Sequence, residues 1–458
     1  MLSIFHSRPL VRPILKNAWP VLVAQIVNIG MMLADTIIVG HHSTQHLAAV
    51  AVGSGLYATL ALSLGGVLQA LAPIVAQHYG AGERARIGSD MRQGLWLAVL
   101  LALFGIALLI QPRWLLAPAH LEPDIEDIAV GYMRLLALSL PAALGFRAFH
   151  ATATALGQPR PLMLIAFLET FGHFLLAWCL VGGHFLLPAL GAAGAGLSQV
   201  IVSWASLGLC VWLLKNHPRF ASFQILDRME YPRWSAQKEL LRLGAPIGFS
   251  FLVEVSAFTL MAIFIARLGA ETVSGHRIAA NLSAFVYMLP LSLGIATAAQ
   301  VAQSVGAGDE ARARGYAFAG IKIACAFSVI LAAMMLWLRV PIATLATQDP
   351  KVAEVAASLA LYIALYQFFD AVQTVACFAL RAYKISFVPL LIHLGCFWGL
   401  GLGLGYWLAF RAPVPQGASG FWQASVASTL TAALLFGGLL RWATKRRSSM
   451  TKPETSPK

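Results

Sequence analysis

Hydrophobic residues dominate this chain in long, closely spaced runs, and polar residues are concentrated in the short segments between them. Examples of the apolar runs are Leu95 to Ile110, Ile323 to Leu338 and Leu390 to Phe410. A helix rises about 1.5 Å per residue, so runs of about 20 residues cross a hydrocarbon core of about 30 Å. The pattern therefore predicts an all-α integral membrane protein.

The runs predict about twelve transmembrane helices in two consecutive sets of six. The first set lies near residues 17–39, 52–76, 94–111, 128–148, 162–181 and 192–214. The second set lies near residues 243–266, 281–303, 316–338, 356–380, 389–409 and 419–440. The predicted domains are an amino-terminal six-helix lobe (1–214), a cytoplasmic linker (215–242), a carboxy-terminal six-helix lobe (243–440) and a polar cytoplasmic tail (441–458).

Composition indicates that lipid is the solvent, because 11% of the 458 residues are charged and 59% are apolar. The net formal charge of +13 could suggest a nucleic-acid partner. The basic residues instead cluster before the first span, after the second, in the central linker and in the tail. The positive-inside rule therefore places both termini and the linker in the cytoplasm. We expect the chain to lie in the cell inner (plasma) membrane and to have no nucleic-acid partner.

An internal repeat relates the two sets of helices. Equivalent positions at a constant shift of 226 (246 − 20) are Pro20 with Pro246, Gly80-Ala81-Gly82 with Gly306-Ala307-Gly308, and Gly191-Ala192 with Gly417-Ala418. Each half has an even number of crossings, so both halves enter the membrane in the same sense and form parallel repeats. Transporters of this design bind their substrates between or within the halves.

The second half carries two acids near the middle of predicted spans, Glu254 and Asp370. An ionised carboxylate in hydrocarbon costs several kcal/mol, and no basic residue is predicted at the same depth, so a functional role is favoured over a packing role. Tyr366 and Gln367 lie at helical spacing from Asp370, and Phe258 lies at helical spacing from Glu254. We interpret this set as the lining of a cation-accepting cavity, because burial favours the protonated carboxyl group and lets protons compete with other cations.

The first half carries a different polar stripe, formed by Gln25, Asn28, Met32 and Asp35. Asp35 lies near the outer end of its span, so a helix cap or an interfacial acid is the alternative interpretation. The repeat shift aligns Asn28 with Glu254 and Asp35 with Met261, so the two halves do not duplicate their acids. We therefore expect the ion chemistry to be unequal between the halves.

Histidines give weaker signals. His173 lies in the middle of the fifth span, where it could relay protons near neutral pH or pack as a hydrogen-bonded core residue. His41, His42 and His46 lie in an outer loop, with spacing that only weakly suggests a metal site. Glu169, with Lys322, is predicted near a cytoplasmic end, from which it can reach water. The five cysteines are scattered, so neither a disulfide framework nor a metal site is predicted.

These features resemble the multidrug and toxic compound extrusion (MATE) family of transporters, of the NorM type. The matching stretches are Ala18-Trp19-Pro20 through Asp35-Thr36, Pro73 through Gly82, Ala279-Ala280-Asn281 through Gly294, and Leu380 through Lys384 in the loop after span ten. The resemblance implies a V-shaped bundle of two six-helix lobes that exports organic, often cationic, drugs in exchange for Na⁺ or H⁺ by alternating access. It also implies a monomer in the lipid bilayer, without enzymatic activity or a resident cofactor.

The resemblance assigns Asp35 as the amino-terminal acid and Glu254 with Asp370 as the carboxy-terminal cation site. The family commonly has two asparagines in span five where this sequence has His173 and Ala177, which favours protons over sodium there. Candidate walls of a substrate cavity are Met32, Phe258, Met261, Phe285 and Met288.

Two other functions are weighed against drug efflux. A lipid-linked oligosaccharide flippase would need arginines in the cavity to bind a pyrophosphate group, and the charges predicted at mid-membrane are acidic. A membrane-embedded transferase would need a large polar loop with clustered catalytic residues. No nucleotide-binding motif is found, which argues against ATP-driven transport within this chain.

Overall fold

The computed structural model describes residues 8–184, 188–228 and 230–450. The first seven residues of the predicted amino-terminal lobe and residues 451–458 of the predicted tail lie outside this range. Within the described range the regular secondary structure is helical, and no strand occurs.

Nine helices precede the middle of the chain. They are α1 (Arg8–His42), α2 (Thr44–Leu68), α3 (Leu71–Gly80), α4 (Arg84–Leu109), α5 (Arg113–Leu116), α6 (Pro123–Ala155), α7 (Arg160–Gly182), α8 (Ala192–Asn216) and α9 (Pro218–Ala221). A 3₁₀ turn, Ala117–Ala119, follows α5.

The second half contains seven further helices in the described chain. They are α10 (Trp234–Ala266), α11 (Ala270–Gly306), α12 (Glu310–Ala346), α13 (Pro350–Ala382), α14 (Phe387–His393), α15 (Gly405–Phe410) and α16 (Ala418–Met450). A π-helical segment, Leu394–Leu404, joins α14 to α15. Residues 441–450 of the predicted tail thus continue the last helix.

Twelve segments of the described chain are long and apolar enough to cross a membrane, which confirms the predicted number of spans. The second is built from α2 and α3 together, and the eleventh from α14, the π-helical segment and α15. The helices extend beyond the predicted spans because hydropathy detects only the part of a helix that suits hydrocarbon, whereas backbone hydrogen bonding continues past it.

The repeat is visible in where the helices begin. Three pairs of helices start 226 residues apart (270 − 44), namely α2 and α11, α4 and α12, and α8 and α16. The equivalent loop glycines Gly82 and Gly308 also share a left-handed backbone, with φ of 78° and 76°. Glycine adopts this conformation without the steric cost of a Cβ atom. Both turns therefore reverse the chain through a left-handed glycine at the equivalent position.

The helices form two compact units. One, here the N unit, comprises Val23–Gly248; the other, the C unit, comprises the described residues of Met1–Leu22 and Phe249–Lys458. In the N unit, α6 packs against α2, α4 and α8, and in the C unit α13 packs against α11, α12 and α16. The fourth span of each half is therefore the central helix of its unit.

The linker between α9 and α10 is folded against α4 within the N unit. The carboxylate of Glu230 accepts hydrogen bonds from Arg92 Nη2 at 2.6 Å and from Ser89 Oγ at 2.8 Å. The indole of Trp96 donates to the carbonyl oxygen of Glu230 at 2.8 Å. The hydrogen bonds from Arg92 and Ser89 hold the pKa of Glu230 below its usual value, since both stabilise the ionised form.

Replacing Glu230 should loosen this linker in a pH-dependent way. A depressed pKa in the folded state stabilises the fold above the unfolded value of about 4.3, and this contribution is lost as pH falls through the folded value. We expect Glu230→Gln to lower the free energy of unfolding by about 1 kcal/mol at pH 7.5. The difference in stability between the variant and the parent should shrink between pH 5 and pH 3. Thermal unfolding of the detergent-solubilised protein measures it. Asp227→Asn, at an exposed acid of the same linker, is the matched control, and an equal effect of both changes would contradict the prediction.

Candidate functional site

Asp370 is the most deeply buried acid of the C unit. Its side chain on α13 is wholly buried, and Oδ1 accepts a hydrogen bond from Gln373 Nε2 at 2.9 Å. The Tyr366 hydroxyl lies beside the same carboxyl group. Within the described residues, Oδ2 of Asp370 and Oε1 of Gln373 are buried without a hydrogen-bond partner. Such acceptor oxygens suit a proton or a small cation.

Glu254 on α10 faces the same region of the C unit. Its carboxyl group lies within electrostatic range of Asp370 and of Arg381, and the Tyr287 hydroxyl on α11 is within range of both acids. Two carboxylates in a low-dielectric site repel each other, which disfavours the state in which both are ionised without a compensating charge. The structure thus brings together the two acids that lie 116 residues apart (370 − 254) in the sequence.

Arg381 is a further charged residue of this cluster. The sequence analysis assigned it to the loop after span ten, but it lies in the last turn of α13 and is 7% exposed. Its guanidinium carbon is 5.2 Å from the ring centroid of Phe251 and 4.7 Å from that of Phe378. A signal was available, because Arg381 follows Asp370 by eleven residues, about three helical turns, and so shares its face.

The other predicted residues of the second half lie in different surroundings. Tyr366, Phe258 and Met261 belong to the apolar core of the C unit, where they line a space of about 20 Å³, which holds about one water molecule. The amide of Gln367 donates to the Ser283 carbonyl oxygen at 2.7 Å and so ties α13 to α11. Of the other candidate wall residues, Phe285 is 48% exposed, Met288 is half-buried and Met32, in the first half, is 64% exposed.

In the N unit, Asp35 and His173 form a hydrogen-bonded pair. Oδ1 of Asp35 on α1 lies 2.7 Å from Nε2 of His173 on α7, and the histidine is wholly buried. On the other side of the ring, Nδ1 lies 3.2 Å from Ser198 Oγ on α8. The Ser198 hydroxyl is also 2.8 Å from the carbonyl oxygen of Ala195.

This geometry accommodates two protonation states. If Ser198 donates to the Ala195 carbonyl, His173 Nδ1 carries a proton, and the short contact with Asp35 then needs a further proton on the imidazole or the carboxyl group. If the Ser198 hydroxyl turns toward Nδ1, a neutral ring donates from Nε2 to ionised Asp35. The two states differ in the direction of the Ser198 hydroxyl and keep the contact between Asp35 and His173, so the pair can gain or lose one proton without moving a helix.

Beside this pair, the N unit contains an open cavity of about 330 Å³ in which polar side chains lie among apolar ones. Its walls include Gln25, Asn28, Tyr57, Arg147, His150, Glu169, Gln199, Ser203 and Ser206. Asn28 was singled out from the sequence, whereas Arg147 was not. Glu169, which was expected to reach water at a helix end, faces this cavity instead. The hydropathy of a whole span conceals single charges, and neither residue stands in a recognisable motif.

The described residues contain no group of three or more His, Cys, Asp or Glu side chains that could hold a metal ion. In the histidine-rich outer segment, His46 Nδ1 accepts a hydrogen bond from the Ala192 amide at 2.9 Å. His46 therefore satisfies a backbone amide at the start of α8, a helix-capping role.

Membrane-length helices in two equivalent sets, with acidic side chains on the spans of both units, define a multi-pass membrane protein of the internal-repeat transporter class. A family model described as MatE matches residues 20–179 and 246–407. The chain belongs to the MatE family. The two matched segments begin 226 residues apart (246 − 20), as the helices do.

Relatives named as multidrug resistance proteins support this assignment. The chain is 47% identical over 434 residues to "Probable multidrug resistance protein NorM" of Aromatoleum aromaticum, covering 94% of both chains. It is 34% identical over 431 residues to "Multidrug resistance protein PmpM" of Pseudomonas aeruginosa, covering 93% of this chain and 90% of that protein.

Solved structures share the fold at low identity. A crystal structure of the eukaryotic MATE transporter AtDTX14 superposes with a TM-score of 0.85 at 17% identity, covering 97% of this chain and all of that one. An outward-facing multidrug resistance MATE family transporter superposes with a TM-score of 0.86 at 17% identity, covering 96% of each chain.

The Asp35–His173 contact can be tested by a double-mutant cycle. We expect Asp35→Asn and His173→Gln to show an interaction energy of about 1 to 3 kcal/mol, because they share one charge-assisted hydrogen bond. The measurement is chemical unfolding of each variant in detergent. His217→Gln is the control partner, since His217 lies 19 residues beyond Ser198, about 28 Å at 1.5 Å of helical rise per residue. Equal coupling of Asp35 to both histidines would contradict the assigned contact.

Proposed function

We propose that this protein is a secondary active efflux transporter that exports chemically diverse organic, often cationic, compounds in exchange for protons. The observation that carries the proposal is the wholly buried Asp370, with unsatisfied acceptor oxygens around it and a second acid, Glu254, within electrostatic range. Membership of the MatE family and the multidrug resistance names of its relatives support the same conclusion.

The mechanism follows from competition for negative charge. A proton neutralises one carboxyl group of the Glu254–Asp370 pair, whereas an organic cation favours the ionised pair, so binding of either ligand weakens binding of the other. Exchange across the membrane requires each ligand to favour a different conformation, because only differential affinity moves a conformational equilibrium. Arg381 partly offsets the two acids, so the addition of one proton brings the cluster to neutrality.

The N unit supports protons as the coupling ion. Asp35 faces a ring nitrogen of His173 at 2.7 Å, and nitrogen is a poor ligand for a hard monovalent cation, which takes oxygen ligands. The two protonation states of the pair provide a place for one transported proton. Sodium coupling is the alternative, and the experiment below separates the two.

The remaining features of the proposal concern the setting of the protein. We place the protein in the inner (plasma) membrane, and the distribution of basic residues supports an orientation with both termini and the linker in the cytoplasm. The proposed protein works as a monomer by alternating access, without enzymatic activity or a resident cofactor. Drugs and membrane lipids are its proposed partners.

One observation bears on the flippase alternative. Arg147 lies in the wall of the N-unit cavity, where a pyrophosphate group would require positive charge. Glu169 lies in the same wall and balances that charge, so the cavity offers no net attraction to a strongly anionic group. Export of cationic or neutral compounds is therefore the better supported function.

Transport by the purified protein in liposomes tests the proposal. We expect an imposed proton gradient to drive accumulation of ethidium, a fluorescent organic cation, and an imposed sodium gradient to have no effect. Combining Glu254→Gln with Asp370→Asn should lower the transport rate at least about tenfold, because the variant loses the charge for which both ligands compete.

A control variant guards against a general effect of removing acids. Glu271 at the start of α11 pairs with Lys351 at 3.1 Å in an exposed position, so Glu271→Gln should transport at the parent rate. Transport driven by sodium alone would contradict proton coupling. Transport by the double variant at the parent rate would contradict the proposed site.

A further inference from the structure

The first turns of α1 and the first half of α12 form a groove on the surface of the C unit. Leu10 packs on the backbone of α12, since a Cβ atom at Gly315 would lie 3.0 Å from Leu10 Cδ1. Next to this contact, a cavity of about 160 Å³ lies between the two helices. It is lined by Val11, Leu15, Ala319, Lys322, Ile323, Ala326 and Phe327.

The floor of this groove is apolar and open to the surroundings. Leu15 is 36% exposed and Phe327 is 37% exposed, so the cavity can be entered from the lipid. Apolar cavities of about 150 Å³ hold molecules of about six carbon atoms. The groove therefore has room for part of an acyl chain.

Three basic side chains flank the apolar floor. Arg12 and Lys16 are exposed one turn apart on α1 and line an adjoining surface cavity together with Trp19. Lys322 is exposed on α12 and lines the groove itself. The two cavities share two apolar residues of α1, so the charged surface and the apolar floor are continuous.

The depth of these residues matches the head-group layer of a membrane. Arg12 and Lys16 precede the predicted first span (17–39), and Trp19 lies at its start, where indole rings favour the interface. Lys322 lies six residues (322 − 316) inside its predicted span, about 9 Å along the helix, and its long side chain can extend back towards the head groups. All three charges therefore have access to the same layer.

The chain supplies no counter-charge for this surface. Among the described residues, Arg12, Lys16 and Lys322 take part in no ion pair or hydrogen bond. The two acids at the start of α12 have other partners, because one caps the helix and the other pairs with the last helix. Residues 1–7, which precede the described range, contain no acidic side chain. The three basic groups are therefore available to an anion from outside the chain.

The equivalent surface of the first half is covered by the linker. The shift of 226 aligns Lys322 with Trp96, whose indole donates to the Glu230 carbonyl oxygen at 2.8 Å. The Glu230 carboxylate pairs with Arg92 at 2.6 Å. In the second half Phe318 stands at the position of Arg92 (318 − 92 = 226), so this contact is not repeated. One half thus places a carboxylate of its own chain here, whereas the described chain places none in the other.

We propose that the groove between α1 and α12 binds an anionic phospholipid, with its phosphate group at Arg12, Lys16 and Lys322 and one acyl chain along the apolar floor. Basic pockets between membrane helices on the cytoplasmic side favour anionic head groups. The apolar floor beside the charges favours a lipid over a soluble phosphate compound, which would gain nothing from it. None of the acids of the proposed exchange lines this groove, so the site is separate from that function.

Native mass spectrometry of the full-length protein in detergent tests the head-group contacts. We expect the first dioleoylphosphatidylglycerol to bind at least about tenfold more tightly than dioleoylphosphatidylcholine, whose own ammonium group opposes the basic residues. Arg12→Gln with Lys16→Gln should remove this preference. Lys238→Gln with Arg242→Gln removes two exposed charges at the equivalent positions of α10 and should bind as the parent does. Equal affinity of the parent for both lipids, or an equal loss in both double variants, would overturn the assignment.

A cavity-filling variant tests the acyl-chain contact. Ala326→Phe occupies the groove and leaves the three charges in place, so it should weaken phosphatidylglycerol binding at least about fivefold. Ala333→Phe, at an exposed position two turns further along α12, is the control and should bind as the parent does. Glycerol phosphate, which has no acyl chain, should not displace the lipid at equal concentration. Parent-like binding by Ala326→Phe, or displacement by glycerol phosphate, would show that charge alone is recognised and would refute the site.

The amino-terminal residues are the alternative occupant of the groove. Deletion of residues 2–7 should leave the affinity for phosphatidylglycerol within about twofold of the parent value. A gain of about tenfold would mean that these residues compete with the lipid, and the proposal would be wrong. All of these are equilibrium binding measurements without a gradient, so they succeed or fail independently of the proposed transport.

Discussion

A charge inside hydrocarbon has to be neutralised by a partner at the same depth, and this constraint governs the polar interior of the protein. Transfer of an isolated ion from water costs several kcal/mol even after relaxation. An unpaired carboxylate would therefore destabilise its helix in the membrane-spanning position. Asp35 contacts His173 at 2.7 Å, and the positive charges of Arg147 and Arg381 act at longer range on Glu169 and Glu254. In each case the partner lies on a neighbouring helix. The interactions that carry the candidate chemistry therefore also hold helices together.

The two halves repeat their scaffold and differ in this chemistry. The central helices α6 and α13 are equivalent, yet the position of Arg147 is occupied by Gln373 in the second half (373 − 147 = 226). The position of His173 is occupied by Gly399, which lies in the π-helical segment of the eleventh span. The N unit balances its acids with a guanidinium and an imidazole, whereas the C unit has two acids near one guanidinium. The C unit is therefore the half that needs a proton or another cation to reach neutrality.

Much of the fold and part of the candidate site could be predicted from the sequence. The apolar runs predicted twelve spans, and the repeat of 226 residues reappears in the starts of three helix pairs. Glu254, Asp370, Asp35 and His173 stood out because polar residues are conspicuous in apolar helices. Arg147 did not stand out and Glu169 was expected to reach water at a helix end, since neither belongs to a motif and hydropathy averages single charges over a whole span. Arg381 was assigned to a loop because hydropathy reports where hydrocarbon ends, not where a helix ends.

By itself, the sequence determined the class of protein, the number of spans and the residues too polar for lipid. These properties depend on local length and composition, because the free energy of placing a segment in the membrane is set mainly by that segment alone. Only the tertiary structure decided which polar residues meet. Asp35 and His173 are 138 positions apart and Glu254 and Asp370 are 116 apart (370 − 254), and nothing in their local patterns distinguishes these pairs from others. Partners are chosen by helix packing, because an electrostatic interaction depends on distance in space and on the surrounding dielectric.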